Sequence, residues 1–199
     1  MPNLKKIAAL VTVLSVGCLA GLTGFRNAAQ AQQEKPAHEV YQAQAMGTKT
    51  QLGKLFDVNI NIDEYSSDAD RQTLMDAFQK DGSQGLYNAL EKFSRKGSLA
   101  VTGTVGYDIA FARRVSTPDG YRVRILTNRP VSFRELRNGA RSEDYNLSFV
   151  ELNINDEPSK STGILLPAVQ FKVDKKTNEI VAEDYRNPWK LQNIRRSAN

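Results

Sequence analysis

The chain has 199 residues, of which 40% are hydrophobic and 25% are charged, a composition typical of a folded protein. Its 27 basic and 22 acidic residues give a formal net charge of +5 at pH 7. Three of the basic residues, Lys5, Lys6 and Arg26, lie among the first 31 residues, which hold no acid, so the rest of the chain has 24 basic and 22 acidic residues. A net charge of +2 gives no global support for a nucleic-acid partner, and we predict none.

Residues 1–31 have the pattern of a secretory signal peptide. Two lysines precede an uncharged apolar run over 7–25, and Ala29-Gln30-Ala31 has the small-x-small pattern of a cleavage site. We predict cleavage after Ala31 and a secreted or periplasmic location. Two alternatives stay open. The run is about 28 Å long as a helix, enough for a retained membrane anchor, and Cys18 is a candidate site of lipidation.

Cysteine and histidine each occur once. Cys18 lies in the leader, so a cleaved chain has no disulfide, cysteine nucleophile or cysteine metal site. His38 follows the cleavage point in a polar stretch. Because a histidine triad or a zinc site needs histidines that the fold holds in place, we predict no metal, no cofactor and no catalysis of that kind.

The mature chain has the length of one domain. We interpret 32–53 as a flexible linker, since it is polar and rich in Ala and Gln, with 40–46 as an edge strand at most. A single α+β domain then covers 54–199. It begins with a strand in which Val58, Ile60 and Ile62 alternate with polar residues, a period that buries one face.

A helical pattern follows this strand. Ser67 with Asp70 three residues later is a typical helix start, and apolar residues at helical spacing continue until Asp81-Gly82. Ser83 then caps a second helix, which again has an apolar face. We therefore predict a two-helix hairpin packed on one face of a sheet.

The remaining chain reads as strands. Thr117-Pro118-Asp119-Gly120 is a strong turn signal between two of them, because Pro fixes φ and Gly accepts positive φ. Apolar residues change phase near Phe149, which indicates a bulge or a strand buried on both faces. The fold class that we predict is α+β, an antiparallel β-meander of about six to seven strands with the two-helix hairpin inserted after the first strand. The later strands cover 105–115, 121–128, 145–155, 165–174, 179–185 and 189–196.

Arginines are concentrated around the predicted hairpin. The stretch 113–141 holds eight arginines and no lysine, against two acids, so its net charge is +6. A one-residue bulge at the turn would place Arg114 opposite Arg124, with Arg122 on the same face. The eight are Arg113, Arg114, Arg122, Arg124, Arg129, Arg134, Arg137 and Arg141.

Two explanations account for these like charges. Carboxylates of neighbouring strands can offset them on an exposed face, and the candidates are Glu143, Asp144, Glu151 and Glu183. Alternatively, the face binds an anion, because guanidinium groups grip phosphate, sulfate or carboxylate in a bidentate manner. Single-stranded nucleic acid would need stacking aromatics on that face, and only Tyr121 is near.

Catalytic motifs are missing from the sequence: there is no phosphate-binding glycine loop, nucleophile elbow or metalloprotease helix. The enzyme class least excluded is a hydrolase that uses two carboxylates, since it needs only two acids beside a cleft. The candidate acids are Asp57, Asp63, Glu64, Asp68 and Asp70.

Three stretches carry a resemblance to a known group. Asp63 to Asp68 leads into the helical region, a strand runs from Gly103 to Arg114, and Asn187-Pro188-Trp189-Lys190-Leu191 comes late in the chain. Together they resemble a group of exported bacterial α+β proteins that has no assigned activity. The resemblance covers the chain from Val58 onward and implies neither an activity nor a site residue.

The sequence thus favours an exported, non-catalytic binding or interaction module. Its expected ligand site is Arg114, Arg122 and Arg124, and its expected partner is an anionic small molecule or a polyanion. It contacts a membrane only through the N-terminal segment, and only if that segment is not cleaved. The alternatives are a carboxylate-dependent hydrolase and a structural envelope component that docks through an unpaired edge strand.

Overall fold

The structure is a computed structural model that describes residues 38–131, 147–173, 180–184 and 188–198. The leader with Cys18, and three of the eight arginines, lie outside these ranges, so what we predict for them stays a prediction. The described residues form a helix, α1 (Asp68–Leu90), and nine strands: β1 (Glu39–Met46), β2 (Leu55–Ile62), β3 (Gly97–Val101), β4 (Tyr107–Thr117), β5 (Gly120–Thr127), β6 (Leu147–Asn155), β7 (Thr162–Val173), β8 (Ile180–Asp184) and β9 (Trp189–Ala198).

Eight of these strands close into an antiparallel barrel. Their order is β6-β5-β4-β3-β2-β1-β9-β7, and a pairing between β6 and β7 joins the two ends, while β8 adds to β7 alone. The predicted α+β meander is therefore wrong, because the described part of the chain is mostly sheet and has a single α-helix. In this ring β1 pairs with β9, so two strands from opposite ends of the described chain lie side by side.

The first strand corrects the predicted linker. Glu39–Met46 is an eight-residue strand with β2 on one side and β9 on the other, so it is central in the sheet and not an edge. Its alternate residues Glu39, Tyr41, Ala43 and Ala45 are buried inside the barrel. The domain consequently begins before residue 54. The sequence did not indicate a central strand, because many of its residues are small or polar and only alternate positions on it face the core.

The helical region is one helix with a kink. Ser67 and Asp70 form the expected capping box, in which each side chain accepts a hydrogen bond from the other residue's backbone N–H. Asp81 and Gly82 leave helical geometry, as the sequence indicated, but the helix resumes directly after them. The Ser83 hydroxyl does not cap a second helix: it donates to the Phe171 carbonyl at 2.8 Å and accepts from the Phe171 N–H at 2.7 Å. Both halves of α1 are thereby held on the barrel, and the predicted two-helix hairpin is wrong.

The apolar side chains form two layers. One fills the barrel, with Val58, Ile60 and Ile62 fully buried as the alternation predicts. The other lies between α1 and the outer wall, where Leu74, Phe78, Leu86 and Leu90 pack against residues of β4 to β7. An interior filled by side chains is usual for an eight-stranded barrel, so ligand sites are to be sought at its ends and on its outer face.

Local strand features agree with the sequence in two places. Pro118 and Asp119 form the turn between β4 and β5, and β6 has a register shift against β7 between Leu147 and Phe149. The short strand β3 was not predicted. No helix among the described residues has the length and apolar character needed to cross a membrane.

Candidate functional site

A buried carboxylate lies at one end of the barrel, which we call the mouth: the end where β1 begins and β9 ends. Glu39 is only 2% exposed and points into the barrel. Burying a charge is costly unless partners compensate for the lost water. The side chains that surround this carboxylate, together with Glu39 itself, form the mouth cluster: Glu39, Tyr41, Tyr65, Arg114, Tyr121 and Arg196.

Two tyrosine hydroxyls bind one oxygen of the carboxylate. Tyr41 and Tyr65 both donate to Glu39 Oε2, Tyr65 at 2.8 Å. The Tyr41 hydroxyl also lies 3.3 Å from that of Tyr121. Tyr65 reaches the cluster because its neighbour Ser66 fixes the connecting segment to β4: the backbone N–H of Ser66 donates to the Ala112 carbonyl at 2.7 Å.

Two guanidinium groups bind the other oxygen. Arg114 on β4 and Arg196 on β9 donate to Glu39 Oε1, at 3.2 and 2.7 Å. The Arg114 guanidinium also stacks on the Tyr121 ring, 3.8 Å from its centroid, and that of Arg196 lies 5.7 Å from the same centroid. Such cation–π contacts hold a guanidinium in a fixed plane. One buried carboxylate thus binds two guanidinium groups.

The cluster also fixes the protonation state of its members. Burial raises the pKa of Glu39, but the hydrogen bonds from Tyr41 and Tyr65 and the charges of the two arginines outweigh it, so the pKa lies below its ordinary value. Burial raises the pKa of both tyrosines, and contact with the carboxylate raises it further. At neutral pH the cluster is therefore an ionised carboxylate beside neutral tyrosines. Glu39 has no proton to give, which disqualifies it as a general acid.

The register of the hairpin separates the three arginines that the sequence grouped. Thr117 pairs with Gly120 without an extra residue, so Arg113 lies opposite Arg124 and Arg114 lies opposite Val123. The predicted pairing of Arg114 with Arg124 is wrong, since the turn has no bulge. One residue of register reverses the face to which a side chain points. Arg114 consequently faces the barrel interior.

The other two arginines lie on the outer face, beside a carboxylate of the adjacent strand. Arg124 Nε lies 2.8 Å from Glu151 Oε2, and Arg122 Nε lies 3.6 Å from Glu151 Oε1. Arg122 also donates to Asn153 Oδ1 at 2.8 Å. The structure therefore divides the predicted set between two faces. Glu151 is the one proposed counter-charge whose side chain the structure describes.

The acids proposed for a hydrolase do not gather in a cleft. Asp63 contacts His38 at 3.3 Å, Asp68 binds Arg113 at 2.7 Å, and Asp70 caps α1. Glu64 pairs with Lys96. Within the described ranges, no group of three or more His, Cys, Asp or Glu side chains is placed to hold a metal ion.

Sequence reasoning overlooked five of the six residues of the mouth cluster. One signal was present: Glu39 keeps the same alternate phase as Tyr41, Ala43 and Ala45, so an acid lies on the buried face of a strand. Its partners come from four other parts of the chain, and no spacing joins them.

Comparison of the chain with protein-family models, with curated proteins and with solved structures finds no match. The functional argument accordingly depends on the geometry of the barrel and its mouth. The feature that matters most there is the pair of part-exposed guanidinium groups that bind the buried Glu39.

Proposed function

We propose that this protein is a non-catalytic binding module that recognises an anionic group at the barrel mouth through Arg196 and Arg114. The observation that carries the proposal is that two guanidinium groups share one buried carboxylate. Both guanidinium groups lie at a position that solvent reaches. This keeps the anionic ligand and the Arg114 expected from the sequence, but Arg196 takes the place of Arg122 and Arg124.

Exposure of the two arginines supports this assignment. The side chains of Arg114 and Arg196 are 27% and 38% exposed, whereas Glu39 beneath them is 2% exposed. A guanidinium has five N–H donors, and the described contacts of Arg196 use one of them, on Glu39. The others can bind a phosphate, sulfate or carboxylate group that approaches from solvent.

Preorganisation strengthens such binding. An exposed arginine loses side-chain freedom when it grips a ligand, at a cost of about 0.5–1.5 kcal/mol. Arg196 is already held by Glu39, and Arg114 by Glu39 and the Tyr121 ring. A site with its donors already in position recognises an oxyanion with little further ordering.

The test is calorimetric titration of the folded protein with inorganic phosphate, comparing the wild type with Arg196→Gln. We expect the variant to bind phosphate with a dissociation constant at least tenfold larger. Arg71→Gln removes the same charge from the exposed face of α1 and should bind as the wild type does. Equal affinity in the wild type and Arg196→Gln would overturn the proposal.

Two further arms locate the site and the source of the anion. The double variant Arg122→Gln/Arg124→Gln tests the outer arginines, and a loss confined to it would assign the ligand to the outer face instead. Arg196→Lys keeps the charge but not the planar fork, so it should weaken binding less than Arg196→Gln does. Heparin as a second probe separates a polyanion from a single phosphate, because polyanion binding weakens steeply with salt. Circular dichroism on each variant checks that it is folded.

A further inference from the structure

A polar groove lies on the outer face of the barrel, away from the mouth cluster. It has a volume of about 610 Å³ and crosses the outer surfaces of β2, β1 and β9. That volume lies within the range of small-molecule sites, about 300–1,000 Å³. Seven of the nine residues that line it are polar, and the other two are Ala43 and Ile194. The polar residues are Gln42, Gln44, Asp57, Asn59, Thr102, Asn193 and Arg195.

A bulge in β9 shapes one wall of the groove. Gln42 pairs with Arg195 and Gln44 pairs with Gln192, so Asn193 and Ile194 together oppose the single residue Ala43. Asn193 is the extra residue, and it has a φ of 53°, in the left-handed region that residues other than glycine rarely adopt. Its side-chain amide points to Gln44 Oε1, at 3.3 Å. Bulges are enriched beside functional sites, where they redirect a side chain.

The groove has one negative and one positive side chain, and they lie apart from each other. Asp57 on β2 and Arg195 on β9 lie on either side of β1 and two residues apart along it, so the usual strand dimensions separate their backbones by about 12 Å. Both are exposed, and neither side chain makes a hydrogen bond or an ion pair with another described residue. Between them lie amides, each of which is both a donor and an acceptor.

We infer that this groove binds a neutral, polyhydroxylated ligand of the saccharide class. A hydroxyl group is a donor and an acceptor at once, and so is each amide of the groove floor. Asp57 can accept from two adjacent hydroxyls, and Arg195 can donate to two sugar oxygens. A net charge of zero favours neither an anion nor a cation, and the polar floor does not suit an apolar ligand.

The experiment is NMR titration of the isotope-labelled protein with three soluble neutral trisaccharides: maltotriose, cellotriose and N,N′,N″-triacetylchitotriose. We expect saturable shifts of the side-chain amides of Asn59 and Asn193 with at least one of them. Asp57→Asn and Arg195→Gln should each weaken that binding at least fivefold. The matched controls Asp119→Asn, in the β4–β5 turn, and Arg71→Gln, on α1, should bind as the wild type does.

Two results would overturn the inference. One is that none of the trisaccharides produces a saturable shift at these amides. The other is stronger saturation by glycylglycine, which would show that the opposed charges select a zwitterion and not a sugar. The inference is independent of the phosphate test, since Arg196 faces the mouth and lines no part of this groove.

Discussion

Two groups of one glutamate and two arginines lie on opposite faces of the barrel wall. Inside, Glu39 is 2% exposed and is bound by Arg114, Arg196 and two tyrosine hydroxyls. Outside, Glu151 is 19% exposed and pairs with Arg122 and Arg124. The charged residue types and their ratio are the same, and the groups differ in burial and in the two tyrosine hydroxyls that bind the inner carboxylate. Water can replace a partner of Glu151, but it cannot reach Glu39.

Removing the inner carboxylate should have the largest effect. Glu39→Gln removes the buried charge that Arg114 and Arg196 share, and breaking a buried ion pair typically costs about 3–5 kcal/mol. The outer counterpart, Glu151→Gln, should cost about 1 kcal/mol or less. Urea unfolding of both variants at neutral pH measures the difference. Similar losses of unfolding free energy in the two would contradict the distinction by burial.

Acid should reduce the contribution of Glu39 to the free energy of unfolding. Burial raises the pKa of Glu39, but the tyrosines and arginines hold it below its ordinary value of 4.5. Since the folded pKa is the lower one, the stabilisation by Glu39 is complete above about pH 4.5 and is lost as pH falls through the folded pKa. The stability gap between the wild type and Glu39→Gln should therefore narrow on acidification from pH 4.5 downward. Unfolding free energies of both proteins across that range provide the test, and a gap that stays constant would argue against an ionised Glu39.

The tyrosine donors should contribute less. Tyr65→Phe removes one hydrogen bond to the buried carboxylate, and hydrogen bonds to charged groups contribute about 1.5–3 kcal/mol. Tyr87 is a matched control, because its hydroxyl also donates to a glutamate, Glu91, but in an exposed hydrogen bond at the C-terminal end of α1. Tyr87→Phe should change stability by only a few tenths of a kcal/mol. If both substitutions shift the denaturant midpoint equally, the Tyr65 contact contributes no more than a surface one.

Local pattern was enough to predict individual elements. The alternation at Val58, Ile60 and Ile62 predicts a strand and the face it buries, and Ser67 with Asp70 predicts the helix start. The Pro118-Asp119 turn also lies where the sequence indicates. Each of these signals depends on residues within one element, and the physics that produces them is equally local.

Closure of the barrel was beyond such reasoning. It depends on β1 pairing with β9, and no sequence spacing joins Tyr41 to Arg196, which face each other across that pair. The mouth cluster has the same origin, since it forms only once the ring has closed. The predicted pairing of Arg114 with Arg124 was wrong for a smaller reason: the turn has no bulge, and a one-residue difference in register exchanges inside and outside.

The smallest predicted effect concerns Arg124, which the register places on the outer face. Arg124→Gln removes an outer arginine that is half exposed and 2.8 Å from Glu151, and exposed ion pairs contribute about 0.2–1 kcal/mol. Salt screens such pairs, so the small loss of unfolding free energy should shrink further in 1 M sodium chloride. Arg196→Gln makes the same change at the inner group, where the arginine pairs with Glu39. Its loss of unfolding free energy should be larger and should depend less on salt, because it leaves Glu39 buried with a partner missing. Chemical unfolding of both variants at low and high salt measures this contrast. Identical salt dependence would mean that the barrel wall does not shield the inner group from solvent.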